Sequence, residues 1–281
     1  MKVSIKGVRG SIPTTDPKTL FYGGNTSCVT VEEDGGFLIL DGGTGIQKVT
    51  ISEGKTNRID ILLTHLHLDH IQGLGFFKHL FDPEMEVHIY APASASLSLQ
   101  KRLSRYLSPP LFPVLIRDLP CKLTLHEISD EVFSIGSFKI SSQYIIHTGP
   151  TLGYRVEGKK GILAYLPDHE PALGPSGMIQ DEKWISGFDL IKGADLLLHD
   201  AQYTAEEYKK KIGWGHCSME DAIHLSGMGN VKKLLLTHHD PSRTDEELHE
   251  IYAKLQTEYS GIVDFEFAIE GTEIDLDEFK N

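Results

Sequence analysis

Ile59-Asp60-Ile61-Leu62-Leu63-Thr64-His65-Leu66-His67-Leu68-Asp69-His70 is the stretch whose reading decides the fold. An apolar run of strand character stops, and three imidazoles and a carboxylate follow within six residues. On an extended strand end, residues two apart face the same side, so His65 and His67 can point together. Asp69 and His70 come at a strand-to-helix turn and can face a second ion. Imidazole nitrogen suits zinc and its neighbours, and a carboxylate completes a borderline or hard site. The strand is therefore expected to carry metal ligands at its tip.

Other strand ends can reach that tip. His147 follows the run Ser141-Ser142-Gln143-Tyr144-Ile145-Ile146, Asp168 follows Gly161-Ile162-Leu163-Ala164-Tyr165-Leu166, and His238 follows Lys233-Leu234-Leu235-Leu236-Thr237. Each stands where a buried strand gives way to a polar turn, the usual place for site residues on a rigid scaffold. A lone His or Asp there is more often structural. Three in chain order behind an H-x-H-x-D-H run read as further ligands.

Alternating or β-branched runs predict strands at 2–6, 27–33, 37–40, 59–64, 86–90, 122–127, 138–146, 151–156, 161–166, 195–199, 232–236 and 263–269. Helical spacing marks 70–80, 95–107, 204–211, 218–227 and 244–258. Asp34-Gly35-Gly36 between apolar runs predicts a hairpin turn. Ser218 with Asp221, and Thr244 with Glu247, predict capped helix starts. Strands in series, then helices mixed with strands, suggest two sheets with helices outside. No linker divides the chain, so one domain over 1–281 is expected. Its long stretch 169–193, holding Pro171, Gly174, Pro175 and Gly177, reads as a loop insertion: a lid, an interface element or decoration.

The chain is 40% hydrophobic and has no apolar run near the ~20 residues a membrane span needs. Its start, Met1-Lys2-Val3-Ser4-Ile5-Lys6, reads as a strand rather than a signal peptide. Cys28, Cys121 and Cys217 cannot form a disulfide framework. A reducing, cytoplasmic setting is expected from these features. The net charge of −13 suits neither a nucleic-acid duplex nor an anionic membrane. It leaves room for a small anion, because divalent ions dominate the field of their own pocket.

The H-x-H-x-D-H run with His147, Asp168 and His238 resembles the metallo-β-lactamase superfamily, over nearly the whole chain. The resemblance implies an α/β fold, a four-layer αββα sandwich with a binuclear metal centre at one edge. His65, His67 and His147 would hold one ion, and Asp69, His70 and His238 the other. Asp168 would bridge them together with a water or hydroxide. Two zinc ions are expected, with manganese or iron as the alternatives. His67 sets the chain apart from the oxygen-reducing di-iron members, which carry Glu there, and Asp168 sets it apart from true β-lactamases. The short stretch after His238 leaves little room for the helical domain of glyoxalase II-like members.

Leu198-His199-Asp200-Ala201-Gln202-Tyr203 and Trp214-Gly215-His216-Cys217-Ser218 resemble the phosphodiesterase branch, which includes tRNase Z and PhnP-like enzymes. There, a His in a Gly-His-Ser/Thr motif assists the leaving group and a Glu in a His-Glu-Ala-Thr motif orients it. His216 matches the first. Asp200 takes the Glu position with one methylene fewer. The implied catalytic set is Asp69, His216 and Asp200. The alternative for His216 is a cap on the helix starting near Ser218, and His199 reads as a packed strand residue.

Val8-Arg9-Gly10-Ser11-Ile12-Pro13 and Tyr22-Gly23-Gly24-Asn25-Thr26-Ser27-Cys28 resemble a bacterial subgroup with cyclic-nucleotide phosphodiesterase-like members. Glycines there can let backbone approach a ligand, with Arg9 and Asn25 as candidate phosphate or sugar contacts. The alternative is a tight turn with a structural Asn. His239 should point away from His238, so only His238 is expected on metal. His239 with Asp240, and His169 with Glu170, are candidates to line the pocket. Asp41, in Asp41-Gly42-Gly43-Thr44-Gly45, reads as a support for the ligand imidazoles.

The expected protein is a dinuclear metal-dependent hydrolase, foremost a phosphodiesterase on a small phosphodiester such as a cyclic nucleotide. The alternatives are a tRNase Z-like ribonuclease, a thioester or lactone hydrolase, and a non-catalytic metal- or nucleotide-binding module. The partner expected is a small molecule, with no membrane. Nucleic acid is disfavoured by charge and by the lack of a recognisable basic arm, and a homodimer is compatible.

Overall fold

Alternating strand residues face different cores, and this alternation builds the architecture. The structure, a computed structural model, describes residues 1–51, 56–172 and 181–280. Its strands are β1 (Lys2–Gly7), β2 (Cys28–Glu33), β3 (Gly36–Leu40), β4 (Arg58–Leu62), β5 (Glu86–Pro92), β6 (Lys122–Ile128), β7 (Glu131–Ile135), β8 (Phe138–Tyr144), β9 (Leu152–Glu157), β10 (Ile162–Leu166), β11 (Leu196–Asp200), β12 (Lys233–Thr237), β13 (Asp264–Phe267) and β14 (Glu273–Asp275). One sheet runs β14-β1-β2-β3-β4-β5-β6 and the other β13-β12-β11-β10-β9-β8-β7. Each joins an antiparallel portion to a parallel one: β3 to β6 are parallel in the first, β10 to β13 in the second.

In β10, Leu163 and Tyr165 enter the core between the sheets, while Ala164 and Leu166 enter a second core under helices. Val3, Ile5, Val31 and Leu38 of the first sheet meet Phe138, Ile140, Tyr154 and Leu196 of the second in the central core. On the outside of the second sheet lie α3 (Phe188–Ile191), α5 (Met219–Met228) and α6 (Asp245–Tyr259). On the outside of the first lies α2 (Leu99–Leu103), with α1 (Leu68–Ile71) beside it. The helix α4 (Ala205–Tyr208) is a single turn that precedes α5. The result is the expected four-layer αββα sandwich.

Local chemistry fixes the joints. Asp34 (φ 49°) and Gly35 (φ 80°) make a two-residue turn between paired Glu33 and Gly36, as the hairpin reading predicts. Thr244 and Glu247 form a reciprocal capping box at α6. An unforeseen box, Thr204 with Glu207, starts α4. At α5 the Ser218 hydroxyl accepts from the Asp221 amide at 3.1 Å.

The helix predicted over 70–80 is not continuous. α1 ends at Ile71, and 3-10 turns follow at Leu74–Phe76 and Lys78–Phe81. The chain there presses on the Asp41–Gly45 turn, and a Cβ on Gly73 would meet Gly43 O at 2.1 Å. The helix predicted over 95–107 shortens to α2. The short strands β7 and β14 close sheet edges and escaped the pattern reading. Stretch 169–193 is not loop throughout: it carries a 3-10 turn at Glu182–Trp184 and all of α3. Its residues 173–180, with Gly174, Pro175 and Gly177, lie outside the described residues. Among the described residues no helix is long and apolar enough to cross a membrane.

Phe138 is 1% exposed at the meeting of the two sheets. Phe138→Ala should lower unfolding free energy by about 3–5 kcal/mol in a urea titration, the range for emptying a buried aromatic site.

Candidate metal centre

The ligand candidates arrive on strand ends from both sheets. β4 leads to His65 and His67, β8 to His147, β10 to Asp168, β11 to Asp200 and β12 to His238. His65, His67 and His147 form one set of convergent donors, and Asp69, His70, Asp168 and His238 form a second. His147 Nε2 and His67 Nδ1 are 3.2 Å apart. Asp168 lies between the sets: its Oδ2 is 2.9 Å from His70 Nε2, and its Oδ1 is 3.2 Å from His238, 3.7 Å from His147 and 4.0 Å from His65. Asp69 Oδ2 is 3.3 Å from His238 Nε2 and 3.5 Å from His70 Nε2. His67 is exposed, whereas the His147 side chain is 1% exposed, so the site opens to solvent on the His67 side.

The donor set fits divalent cations. His65 Nε2, His70 Nε2 and Asp168 Oδ2 are buried without any hydrogen-bond partner, although two of them lie 2.9 Å apart. Buried polar atoms seldom stay unpaired, and donors that converge without bonding one another await a cation. The electrostatics agree. Burial alone would raise Asp168, yet His238 and His70 hold it well below the usual carboxylate range. Burial would lower His238, but Asp168 and Asp69 outweigh it and push the imidazole up to about 9. Positive charge is thus favoured at the second set. Burial instead drives His65 well below its ordinary value, toward the neutral form that binds metal.

Asp41 organises the centre from behind. His70 Nδ1–H donates to Asp41 Oδ2 at 2.8 Å, which leaves His70 Nε2 facing Asp168. Thr64 N and Tyr165 OH donate to the same carboxylate at 2.7 and 3.0 Å. The Thr64 hydroxyl also lies 3.1 Å from His65 Nδ1. Asp41 (φ 60°) and His238 (φ 61°) both hold left-handed backbone, a strain that clusters at functional sites.

A second brace holds His147. Its Nδ1–H donates to Gly215 O at 2.6 Å. Gly215 has φ +86°, and a Cβ there would meet His147 Nδ1 at 2.5 Å, so only glycine fits. Buried Glu170 anchors this loop by accepting from Tyr208 OH, Gly213 N and Gly215 N at 2.7, 2.8 and 2.8 Å. The next residue, His216, donates from Nδ1 to Asp200 Oδ2 at 2.6 Å and stacks on His238 at 5.0 Å. Asp200 is fully buried, and its other acceptor positions take the amides of Gln202 and Cys217.

Several expected contacts are placed otherwise. Arg9 is fully buried, with its guanidinium on the carbonyls of Gly23, Thr19, Asp240 and Arg243, so it is not free for a substrate. Asn25 donates to Glu270 at 2.8 Å. His239 is fully buried and bonded to Ala268 O, and burial drives it down to about 3. His169 is buried and paired with His199 at 2.8 Å, which confirms His199 as a packed strand residue. Glu170 braces the loop instead of lining the pocket. The segment around Arg9 does reach the site, but through backbone: Ser11 N donates to Asp69 Oδ2 at 2.8 Å. A main-chain amide leaves no mark in a sequence. Tyr165, within β10, and Thr64, two residues past the end of β4, were also missed; a polar group beside an apolar run was the available signal.

Asp41→Asn should weaken zinc binding about 10- to 100-fold in a chelator competition, as loss of an imidazole-orienting carboxylate does.

Residues 39–239 match the family described as a Beta-lactamase superfamily domain. A ribonuclease Z of Haloarcula marismortui is 24% identical over 280 residues, covering 85% of this chain and 86% of that protein. Among solved structures, the metallo-beta-lactamase fold protein YhfI of Bacillus subtilis matches with TM-score 0.69 and 19% identity, covering 98% of both chains. The short form of human tRNase Z gives 0.67 at 20% identity, covering 98% of this chain and 99% of that one. A diphosphatase of the PhnP family gives 0.66 at 19% identity, covering 97% and 96%. At these identities the structural likenesses establish the fold. The family match spans every ligand candidate from His65 to His238, and the chain belongs to the beta-lactamase superfamily of metal-dependent hydrolases.

Proposed function

We propose that this protein is a phosphodiesterase, and the observation that carries this reading is the His216–Asp200 pair beside the metal centre. Breaking a P–O ester bond expels an alkoxide, which needs a proton or a positive neighbour. His216 Nδ1 is committed to Asp200 at 2.6 Å, so its Nε2 is left for the leaving oxygen. A thioester makes less demand on this imidazole, because a thiolate, whose acid has a pKa of ~8.5, leaves without a proton. Three further positions fix the pair: the Gly215 turn before it, the Cys217 amide on Asp200, and the His238 ring beneath it.

His65, His67 and His147 would hold one divalent ion and Asp69, His70 and His238 the other, with Asp168 between them; zinc fits these donors, and manganese or iron are the alternatives. Bound there, the ions supply Lewis acidity: they bring the ionisation of water near pH 7 and draw charge off phosphoryl oxygens. The chain's own part is positional. Asp41 and Gly215 orient ligand imidazoles, Ser11 N holds Asp69, and Asp200 holds His216.

The substrate in this reading is a small phosphodiester such as a cyclic nucleotide, supported by a net charge of −13 that repels long polyanions. A second reading, tRNase Z-like cleavage of precursor tRNA, is favoured by the ribonuclease Z relative that spans 85% of the chain. A shared core between the sheets supports one domain over 1–281, and three free buried thiols support a cytoplasmic setting.

Zinc-loaded protein should hydrolyse cyclic nucleotides, lose that activity to a chelator and regain it with zinc or manganese. His216→Ala should lower kcat about 10²- to 10⁴-fold, the usual worth of a positioned acid, with zinc content unchanged. Cleavage of precursor tRNA alone would select the second reading. Ester or lactone turnover indifferent to His216→Ala would replace both with carbonyl hydrolysis.

A further inference from the structure

A cavity of about 260 Å³ adjoins the metal centre, bounded by His65, His67, Ser96, Arg102, Arg105 and Thr148. We propose that it is a subsite for a second phosphate on the substrate, gripped by Arg105 with Arg102; the inference rests on the phosphodiesterase reading and narrows its substrate class. His65 and His67 belong to both the cavity and the ligand set, so a substrate seated at the metals extends directly into it.

Charge is the first argument. Asp and Glu make up 40 residues of this chain, yet none lines this cavity, while two arginines do. Arg102 lies in α2 and Arg105 in the turn just past its end, and both line the cavity. Arg102 is braced: its Nη2 donates to Pro92 O at 2.6 Å and to Glu127 at 3.0 Å. Its Nε remains buried without a partner. The exposed Arg105 guanidinium has no side-chain partner among the described residues. One arginine is thus held in place and the other is free to close on a ligand. The guanidinium fork matches the oxygens of a phosphate in a bidentate way.

Size is the second argument. The cavity falls below the ~300 Å³ at which sites for whole small molecules begin. It takes a substituent, while the rest of the substrate lies across the open face by His67. Hydroxyls of Ser94, Ser96 and Thr148 supply further hydrogen bonds. The substrate class is a phosphodiester that carries a second, unreacting phosphate.

The test uses the zinc-loaded enzyme and two substrates: a p-nitrophenyl phosphodiester of thymidine with, and without, a further phosphate on the other hydroxyl. Wild type should prefer the phosphorylated one in kcat/KM, and Arg105→Ala should cut that preference about 10- to 100-fold, mostly through KM, as expected for a charge-assisted contact. Arg105→Lys should retain part of it. Calorimetric binding of inorganic pyrophosphate should weaken in Arg105→Ala by a similar factor. A preference and a pyrophosphate affinity both unmoved by Arg105→Ala would overturn the subsite. Wild type that cleaves neither substrate would overturn the phosphodiesterase reading, and the pyrophosphate result would still decide the subsite.

Discussion

The buried carboxylate of Asp168 is the constraint on which the site depends. Four imidazoles stand within 4.0 Å of it, two from the His65–His70 run and two from other strand ends. A charge taken out of water is costly unless opposite charge and good donors surround it. The first sheet supplies His65 and His70, and the second supplies His147, Asp168 and His238. Neither sheet holds the set alone, so the sandwich must close before the centre exists. The central core, with Tyr154 and Tyr165 against Leu38 and Leu40, sets the spacing at which the strand ends meet. Packing and metal chemistry are therefore one requirement: a shift of one strand by two residues would keep its apolar pattern and lose its ligand.

The residues that converge as candidate ligands were legible in the sequence because they are polar side chains at or just beyond the ends of apolar runs. The same contrast placed most of the strands. What it could not supply is the direction a side chain takes once its neighbours are known. Arg9 and Asn25 have the chemistry of phosphate contacts, but folding spends both on the backbone carbonyls and Glu270 around them. Glu170 looked like a pocket residue and is a loop brace. The contribution of Ser11 is a backbone amide, invisible to residue type. Arg102 and Arg105 come near His65 and His67 through the long connection between β5 and β6, and no local pattern announces where such a connection lands. The helix predicted over 70–80 failed for a related reason: the turn at Asp41–Gly45 fills the space a regular helix would need.

The family fixes fold and metal chemistry, while substrates vary on the same scaffold. In this chain, selection is written outside the ligand set. Beside the candidate ligands stand the His216–Asp200 pair and a recess lined by two arginines and no carboxylate, in a chain of net charge −13. His67, exposed, lines that recess, and the buried His147 ring packs edge-on against both His67 and His216. In the proposed reading, a phosphodiester seated at the centre would meet both the pair and the recess.

The central claim is that strand ends from two sheets assemble a two-ion centre around Asp168. Metal stoichiometry by plasma mass spectrometry, after equilibration with zinc and removal of free ion, tests it most directly. The account predicts two zinc ions per chain in the wild type and a loss of at least one in Asp168→Ala. A single zinc per wild-type chain at saturation, or two retained without the Asp168 carboxylate, would contradict it.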